Sequence, residues 1–179
     1  MMGTLTRSTF ATARESEFFT EKELTMQFGA PKAIWPLMTV KELIDNALDA
    51  TEATDVPPEI AITLEQDSIV VRDNGPGLPE STVDKALNYN LRVSDKRHYI
   101  SPSRGQLGNA LKCVIPAAYV ATEKKAVVEI TACGVHHRIE VDVDRITNKP
   151  RIQHVKTPLV QNGTTVAISW PDVASPRAC

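Results

Sequence analysis

The stretch KELIDNALDA, residues 41–50, combines a helical pattern with a high density of acidic and amide side chains. Its residues are good helix formers, and neither Gly nor Pro interrupts them. At about 100° per residue, Glu42, Asn46 and Asp49 fall on one face of the helix, with Asp45 beside them. Apolar side chains fill the opposite arc. The stretch therefore predicts a helix that packs into a core on one face and presents acids and an amide on the other.

This polar face allows two interpretations. The first is a solvated face, the usual position of charged side chains on an amphipathic helix. The second is a ligand site, because acidic side chains at this spacing repel one another and a cation relieves the repulsion. Carboxylate, amide and water oxygens suit a hard ion such as Mg²⁺. Other parts of the chain are needed to decide between these two interpretations of the polar face.

Length and composition indicate one folded domain in a reducing compartment. The chain has 179 residues, of which 42% are hydrophobic and 23% charged, enough for one domain with a sizeable core. The formal net charge of −2 gives no overall attraction to nucleic acid. The three cysteines are scattered and form no CxxC, so we expect neither disulfides nor a zinc site, and a cytoplasmic setting. No apolar run reaches the roughly 18 residues of a transmembrane helix, and the N-terminus lacks the apolar core of a secretory signal.

The remaining pattern predicts an α+β fold, a two-layer sandwich with helices on one face of a mixed sheet. Two stretches of alternating apolar and polar residues, 59–65 and 68–73, predict a hairpin around Gln66-Asp67. Three or four further strands are predicted in the last third of the chain. Helices are predicted over 16–28, 31–54, 79–92 and the apolar stretch after Gly108.

Four of the eight glycines lie in two short segments. Gly75 and Gly77 belong to DNGPGL, which follows a predicted strand, and Gly105 and Gly108 belong to RGQLGNA, which opens a predicted helix. Glycine lets a backbone approach a ligand closely, and a helix N-terminus binds anions. A plain turn explains DNGPGL equally well, since Asp-Asn-Gly is good turn chemistry. Neither segment is a Walker A loop or a Rossmann fingerprint.

Four motifs nevertheless occur in a characteristic order. E-L-x-x-N-x-L-D-A begins at Glu42, D-x-G-x-G begins at Asp73, SDKRH and SRGQLG occupy 94–98 and 103–108, and GTxV begins at Gly163. With these motifs the chain resembles the GHKL ATPase superfamily of gyrase, Hsp90, histidine kinase and MutL type. The opening EFFTEKELTMQFGAPKAIWPLMTVKEL also looks like the branch formed by the B subunit of topoisomerase VI, whose ATP-binding domain the chain resembles most. The resemblance covers nearly all of the chain.

The resemblance implies a Bergerat fold, in which helices lie over a mixed sheet and ATP with Mg²⁺ binds between the two layers. Glu42 is implied as the general base that activates water. Asn46 is implied as a ligand of Mg²⁺, and Asp73 as the acceptor for the adenine amino group. The further nucleotide-binding residues that the resemblance implies are Gly75, Gly77, Lys96, Arg104, Gly105, Gln106, Leu107, Gly108 and Thr164.

These further residues have three implied roles. Thr164 supports Asp73, and the glycines of D-x-G-x-G let the backbone pass close to the base. Backbone N–H groups of residues 105–108 face the phosphates. Lys96 and Arg104 add positive charge in a lid. On this interpretation Asp45 and Asp49, the remaining acids of KELIDNALDA, are explained by solvation or local structure.

The resemblance also implies larger movements and partners. We expect a flexible arm over 1–15, the ATP-binding domain over 16–172 and a tail over 173–179. ATP binding is expected to close a lid over 88–108 and to drive homodimer formation. In related branches a following domain supplies a lysine to the γ-phosphate, and this chain ends soon after GTTVAISWP. We therefore expect slow hydrolysis by the chain alone and a partner chain with a transducer or DNA-cleaving function, without direct DNA binding or membrane contact.

Two other function classes remain open from the sequence. A sensor-kinase-like catalytic domain would use a phosphoacceptor histidine on a dimerisation helix. The four histidines of the chain lie in the predicted lid and strands, so none of them suits that role. A non-hydrolysing, nucleotide-gated interaction module would bind ATP and recruit a partner. Single-turnover hydrolysis separates this module from an ATPase.

Overall fold

Four α-helices and six strands make up the part of the chain that the computed structural model describes, residues 14–52, 54, 56–89 and 110–174. The helices are α1 (Glu21–Phe28), α2 (Trp35–Glu52), α3 (Glu80–Leu87) and α4 (Ala110–Thr122). The strands are β1 (Ile60–Glu65), β2 (Ser68–Asp73), β3 (Ala126–Ala132), β4 (Val135–Asp144), β5 (Lys149–Pro158) and β6 (Thr164–Ser169). Two short 3-10 helices, Arg14–Phe19 and Lys32–Ile34, precede α1 and α2.

The strands form one sheet in the order β1-β2-β6-β3-β4-β5. Each of its pairings is antiparallel, which corrects the expectation of a mixed sheet. The helical connection from β2 to β3 does join two strands that run in the same direction. They do not pair with each other, because β6 lies between them.

Helices α2 and α4 cover one face of this sheet. Alternate side chains of the central strands point into the interface and are buried, among them Ile69, Val128, Ile139 and Ile168. On the opposite face Arg138 is exposed and pairs with acidic neighbours on its own sheet. Such alternation is expected for an antiparallel sheet that buries one face. The predicted two-layer α+β fold is thus confirmed.

The first two strands form the predicted hairpin. Gln66-Asp67 makes its turn, and Glu65 pairs with Ser68 across it. On its other side β2 pairs with β6. Because β2 ends at Asp73 and the antiparallel β6 begins at Thr164, these two residues meet at one end of the sheet.

Thr20 interrupts the helix predicted over 16–28. Its backbone is extended, with φ −117° and ψ 144°, and its hydroxyl accepts a hydrogen bond from the Glu23 N–H at 3.2 Å. This N-cap starts α1 anew. The residues before it form the 3-10 helix Arg14–Phe19 instead of a continuous α-helix.

Helix α2, which carries the KELIDNALDA stretch, has 18 residues. It begins at Trp35 instead of the predicted residue 31, so Pro36 lies in its first turn, where a missing N–H costs no helical hydrogen bond. Its buried residues, spaced four apart, are Trp35, Thr39, Leu43, Ala47 and Thr51. No helix among the described residues is long and apolar enough to cross a membrane.

Candidate functional site

Asp73 is a buried carboxylate held at the end of β2. The residue is 9% exposed. One oxygen, Oδ1, accepts hydrogen bonds from the Gly75 N–H at 2.8 Å and from the Thr164 N–H at 3.1 Å. These two backbone donors fix the orientation of the carboxylate. The other oxygen, Oδ2, accepts no hydrogen bond from the described residues.

Gly163 makes this arrangement sterically feasible. Its φ is 76°, and a Cβ at this position would lie 1.9 Å from the Asp73 carbonyl oxygen. Only glycine allows the start of β6 to approach β2 closely enough for the Thr164 N–H to reach the carboxylate. Gly163 was not among the predicted site residues. The signal for it was present, since it is the glycine that begins the GTxV motif.

The D-x-G-x-G loop packs against the turn between β3 and β4. Gly77 has a φ of 92°, and a Cβ there would lie 2.7 Å from the Sγ of Cys133. Cys133 occupies the first position of the two-residue turn, with φ 50°, and its thiol approaches the carbonyl of Pro76 at 3.8 Å. The sequence offered no signal for this contact, because Cys133 lies in no motif.

The other side of the same loop faces the C-terminal turns of α2. A Cβ on Gly75 would lie 3.6 Å from the side chains of Ala50 and Thr51. Asn46 precedes Ala50 by one turn and Glu42 precedes it by two, which is about 12 Å along the helix axis. The structure therefore places a fixed carboxylate acceptor at one end of α2 and the acid and amide further along it.

Glu42 is partly buried on α2, with a side chain that is 28% exposed. Its Oε1 is 3.5 Å from the Nζ of Lys41, which makes a shorter contact of 2.7 Å with Asp45. The hydrogen bond to Asp45 is the main reason that the pKa of Lys41 is raised. Asp45 thus has a partner on its own helix, and Glu42 keeps a carboxylate that is only weakly engaged.

Asn46 is half-buried, and its amide makes no hydrogen bond with the described residues. An amide oxygen is a suitable Mg²⁺ ligand. Among residues 14–52, 56–89 and 110–174 there is no group of three or more His, Cys, Asp or Glu that could hold a metal ion. The donor set thus fits an ion that takes one protein oxygen and completes its coordination with phosphate and water.

Six predicted site residues lie outside the described residues: Lys96, Arg104, Gly105, Gln106, Leu107 and Gly108. Their roles stay predictions. The chain on either side of this segment is described, and Lys112 in the first turn of α4 donates from Nζ to the Asn88 carbonyl at 2.9 Å. Burial lowers the pKa of the Lys112 ammonium. This bond ties the start of α4 to the residue after α3.

A helix bearing an acid and an amide, lying over a sheet that ends in a buried aspartate, defines the GHKL class of ATPase domains. Comparison with known proteins gives the same class. The family model for "Histidine kinase-, DNA gyrase B-, and HSP90-like ATPase" matches residues 36–168. The chain belongs to this family.

The chain is similar to several proteins named as the B subunit of type 2 DNA topoisomerase 6. The protein from Methanosarcina barkeri (strain Fusaro / DSM 804) is 32% identical over 145 residues, which are 76% of this chain and 23% of that protein. The protein from Archaeoglobus fulgidus is 36% identical over 118 residues, 63% of this chain and 19% of that protein. The chain therefore spans about a fifth to a quarter of the length of these relatives.

Solved structures show weaker similarity. The N-terminal domain of a DNA repair protein has 24% identity and a TM-score of 0.44, with 78% of this chain and 36% of that chain covered. The 43K ATPase domain of Thermus thermophilus gyrase B, in complex with an aminocoumarin, has 23% identity and a TM-score of 0.39, with coverages of 75% and 33%. The family assignment rests on the family model.

Proposed function

We propose that this chain binds ATP with Mg²⁺ and hydrolyses it slowly, with adenine at Asp73 and the phosphates towards Glu42 and Asn46. The observation that carries the proposal is the geometry of Asp73. Two backbone N–H groups saturate Oδ1, and none of the described residues donates a hydrogen bond to Oδ2. A buried acceptor held this rigidly is suited to an exocyclic amino group.

The same geometry supports discrimination between purines. Adenine presents an amino group where guanine presents a carbonyl. A carbonyl facing the Asp73 carboxylate would leave two buried acceptors opposed and unpaired, and sites built around one hydrogen bond reject such analogues strongly. Thr164 supports this role through its backbone N–H, because it sets which oxygen of the carboxylate stays available.

The acid and amide of α2 lie at the proposed phosphate end. Asn46 would supply a protein oxygen to Mg²⁺, which when bound neutralises charge on the phosphates. Glu42 is the proposed general base, and it can take a proton from water only within hydrogen-bond reach of it. Lys41, the cation nearest to Glu42 among the described residues, is already shared with Asp45. Slow hydrolysis is proposed because the cations proposed for the phosphates, Lys96 and Arg104, reach them only when the lid closes.

The proposal extends to movements and partners. A lid over 88–108 would close on the triphosphate and bring Lys96, Arg104 and the backbone of 105–108 to the phosphates. Nucleotide would also favour a homodimer, and a separate chain with a transducer or DNA-cleaving function would use it. Hydrogen exchange of this segment and the sedimentation of the protein, each with and without a non-hydrolysable ATP analogue, test the first two steps. Equal exchange in both states would contradict the lid.

Isothermal titration with the same analogue and Mg²⁺ tests nucleotide binding. Asp73→Asn should weaken the affinity by about 100-fold or more, because the amide opposes the amino group of adenine with either a donor or a poorer acceptor. Asp67→Asn is the matched control. Asp67 lies at the opposite end of β2 and also accepts a backbone N–H, from Asp172 at 2.8 Å. Unchanged affinity of Asp73→Asn would rule out the adenine assignment.

Single-turnover hydrolysis with protein in excess tests catalysis. Glu42→Ala should bind the analogue like the unchanged protein and lose hydrolysis, about 100-fold or more for a general base. Glu65→Ala, which removes an exposed acid at the end of β1 outside the proposed site, is the control and should hydrolyse at the original rate. If Glu42→Ala and the unchanged protein gave equal rates, the chain would be better described as a non-hydrolysing nucleotide-gated module.

A further inference from the structure

Thr39, in the second turn of α2, carries a polar group that the fold leaves unsatisfied. The residue is 0% exposed, and its hydroxyl oxygen has no hydrogen-bond partner among the residues that the structure describes. Buried hydroxyls are nearly always hydrogen-bonded, because an unpaired one loses its interaction with water and gains nothing in return. An exception within a helix therefore calls for an explanation.

Other threonines show that helical carbonyls are available to such a hydroxyl. Thr51, also buried on α2, donates to the carbonyls of Ala47 at 3.2 Å and Leu48 at 2.9 Å. Thr122 on α4 donates to the Ala118 carbonyl at 2.8 Å. This bond back to the preceding turn is the ordinary way to satisfy a helical threonine. Thr39 does not make this bond, so no backbone carbonyl of α2 satisfies its hydroxyl.

Glu42 lies three residues further along the same helix. Side chains at this spacing are adjacent on a helix surface. Glu42 also influences the interior of the helix layer, since burial raises the pKa of the Cys113 thiol to about 12 and the Glu42 charge adds to this shift. Lys41 approaches Oε1 of Glu42 from the solvent side. The Glu42 carboxylate thus contacts a surface cation, and its side chain is adjacent to that of Thr39 on the helix surface.

We propose that Thr39 is a positioning residue for Glu42. When nucleotide is bound, the Thr39 hydroxyl donates a hydrogen bond to the Glu42 carboxylate, directly or through one buried water. This bond holds the carboxylate on the side of α2 that faces the γ-phosphate and away from Lys41. The inference rests on the proposed role of Glu42 as general base, and it assigns to Thr39 an effect on the rate and none on affinity.

The isosteric variant Thr39→Val tests it, because valine keeps the volume and removes the hydroxyl. The rate of single-turnover hydrolysis should fall about 10- to 100-fold, because a displacement of a reacting group by about 1 Å or less has an effect of this size. The dissociation constant for an ATP analogue should change less than twofold. Thr39→Ser, which restores a hydroxyl without the methyl group, should recover most of the rate.

Stability gives a second readout, and a purely structural role predicts the opposite result. Thr39→Val should raise the midpoint of thermal unfolding by about 2–4 °C, because it removes an unsatisfied buried group. The matched variant Thr51→Val should lower the midpoint, since that hydroxyl has two acceptors. A destabilised or unfolded Thr39→Val would mean that the hydroxyl holds the fold together, which would overturn the proposal.

The remaining outcomes are also decisive. A Thr39→Val protein that hydrolyses ATP at the original rate would overturn the proposal, and so would a Thr39→Ser protein as slow as Thr39→Val. In both cases unchanged binding and a Glu42-dependent rate would leave the proposed function intact. If the unchanged protein bound no nucleotide, or showed no Glu42-dependent hydrolysis, the proposed function would fail first and this inference with it.

Discussion

Replacing Gly163 by alanine measures how far the Asp73 site depends on close contact between β2 and β6. The added Cβ would lie 1.9 Å from the Asp73 carbonyl oxygen and 3.1 Å from the Asn74 Cα, so β6 has to move away from β2. The left-handed backbone at φ 76° costs alanine about 1–2 kcal/mol. The movement also breaks the bond from the Thr164 N–H to the Asp73 carboxylate, worth about 1.5–3 kcal/mol for a charged acceptor. The expected loss in the free energy of unfolding is therefore about 2.5–5 kcal/mol.

Gly29→Ala is the matched control for this experiment. Gly29 caps α1 with a similar φ of 63°, and an added Cβ meets no heavy atom within 4 Å. Its replacement carries the cost of the left-handed backbone alone, about 1–2 kcal/mol. Urea unfolding followed by circular dichroism gives both values, and titration with an ATP analogue below the unfolding transition shows whether the remaining folded Gly163→Ala protein still binds. Equal losses in the two variants would refute the reasoning, because the crowding at Gly163 would then contribute nothing.

Three further predictions follow from the described side chains. Burial lowers the pKa of both His137 and His154 below 6.5, so the unfolded chain takes up protons at a higher pH than the folded protein does. The free energy of unfolding should therefore fall as the pH drops below about 6.5, by at most about 1.4 kcal/mol per pH unit for each proton. Urea unfolding at pH 7.5 and 5.5 should show this fall, and a His137→Phe, His154→Leu double variant should lose most of it. An alkylating reagent at pH 7.5 should modify the exposed Cys133 and spare Cys113, whose thiol pKa burial raises to about 12; peptide mass spectrometry checks this, and modified Cys113 in folded protein would contradict its burial. ATP with Mg²⁺ at 100 times its dissociation constant should stabilise the protein by about 2.7 kcal/mol, or about 5–10 °C in the unfolding midpoint; Asp67→Asn should keep this shift and Asp73→Asn should lose it.

Local patterns in the sequence predicted those features of the fold that depend on neighbouring residues. The hairpin of β1 and β2, with its turn at Gln66-Asp67, follows from alternation and turn chemistry alone. The break at Thr20 was missed because a threonine at this position is compatible both with an N-cap and with a continuous helix. The all-antiparallel sheet was missed for a different reason. Strand order depends on where β6 inserts, and no local pattern encodes that.

The candidate site divides in the same way. Helical periodicity places Glu42 and Asn46 on one face of α2, and the resemblance of the motif that begins at Glu42 to the GHKL family made them candidate site residues. The role of Gly163 could not be identified in this way, because it depends on a backbone distance to a residue ninety positions earlier in the chain. The same holds for Thr39, because its lack of a hydrogen-bond partner can be recognised only from the coordinates of the neighbouring acceptors. Sequence patterns indicate which residues share a face, whereas close approach and missing hydrogen bonds require coordinates.

The central position of β6 also has a consequence for how the chain reaches its native state. Until this last strand is available, the sheet exists as two separate pieces, β1-β2 and β3-β4-β5, each with an unpaired edge facing the other. When β6 inserts, Ala167 pairs with Val70 on one side and with Glu129 on the other. Val70 and Ala167 are far apart in the sequence, and contacts of this kind make folding slow. The same strand brings Thr164 to Asp73, so the complete sheet and the proposed nucleotide site both depend on the insertion of β6.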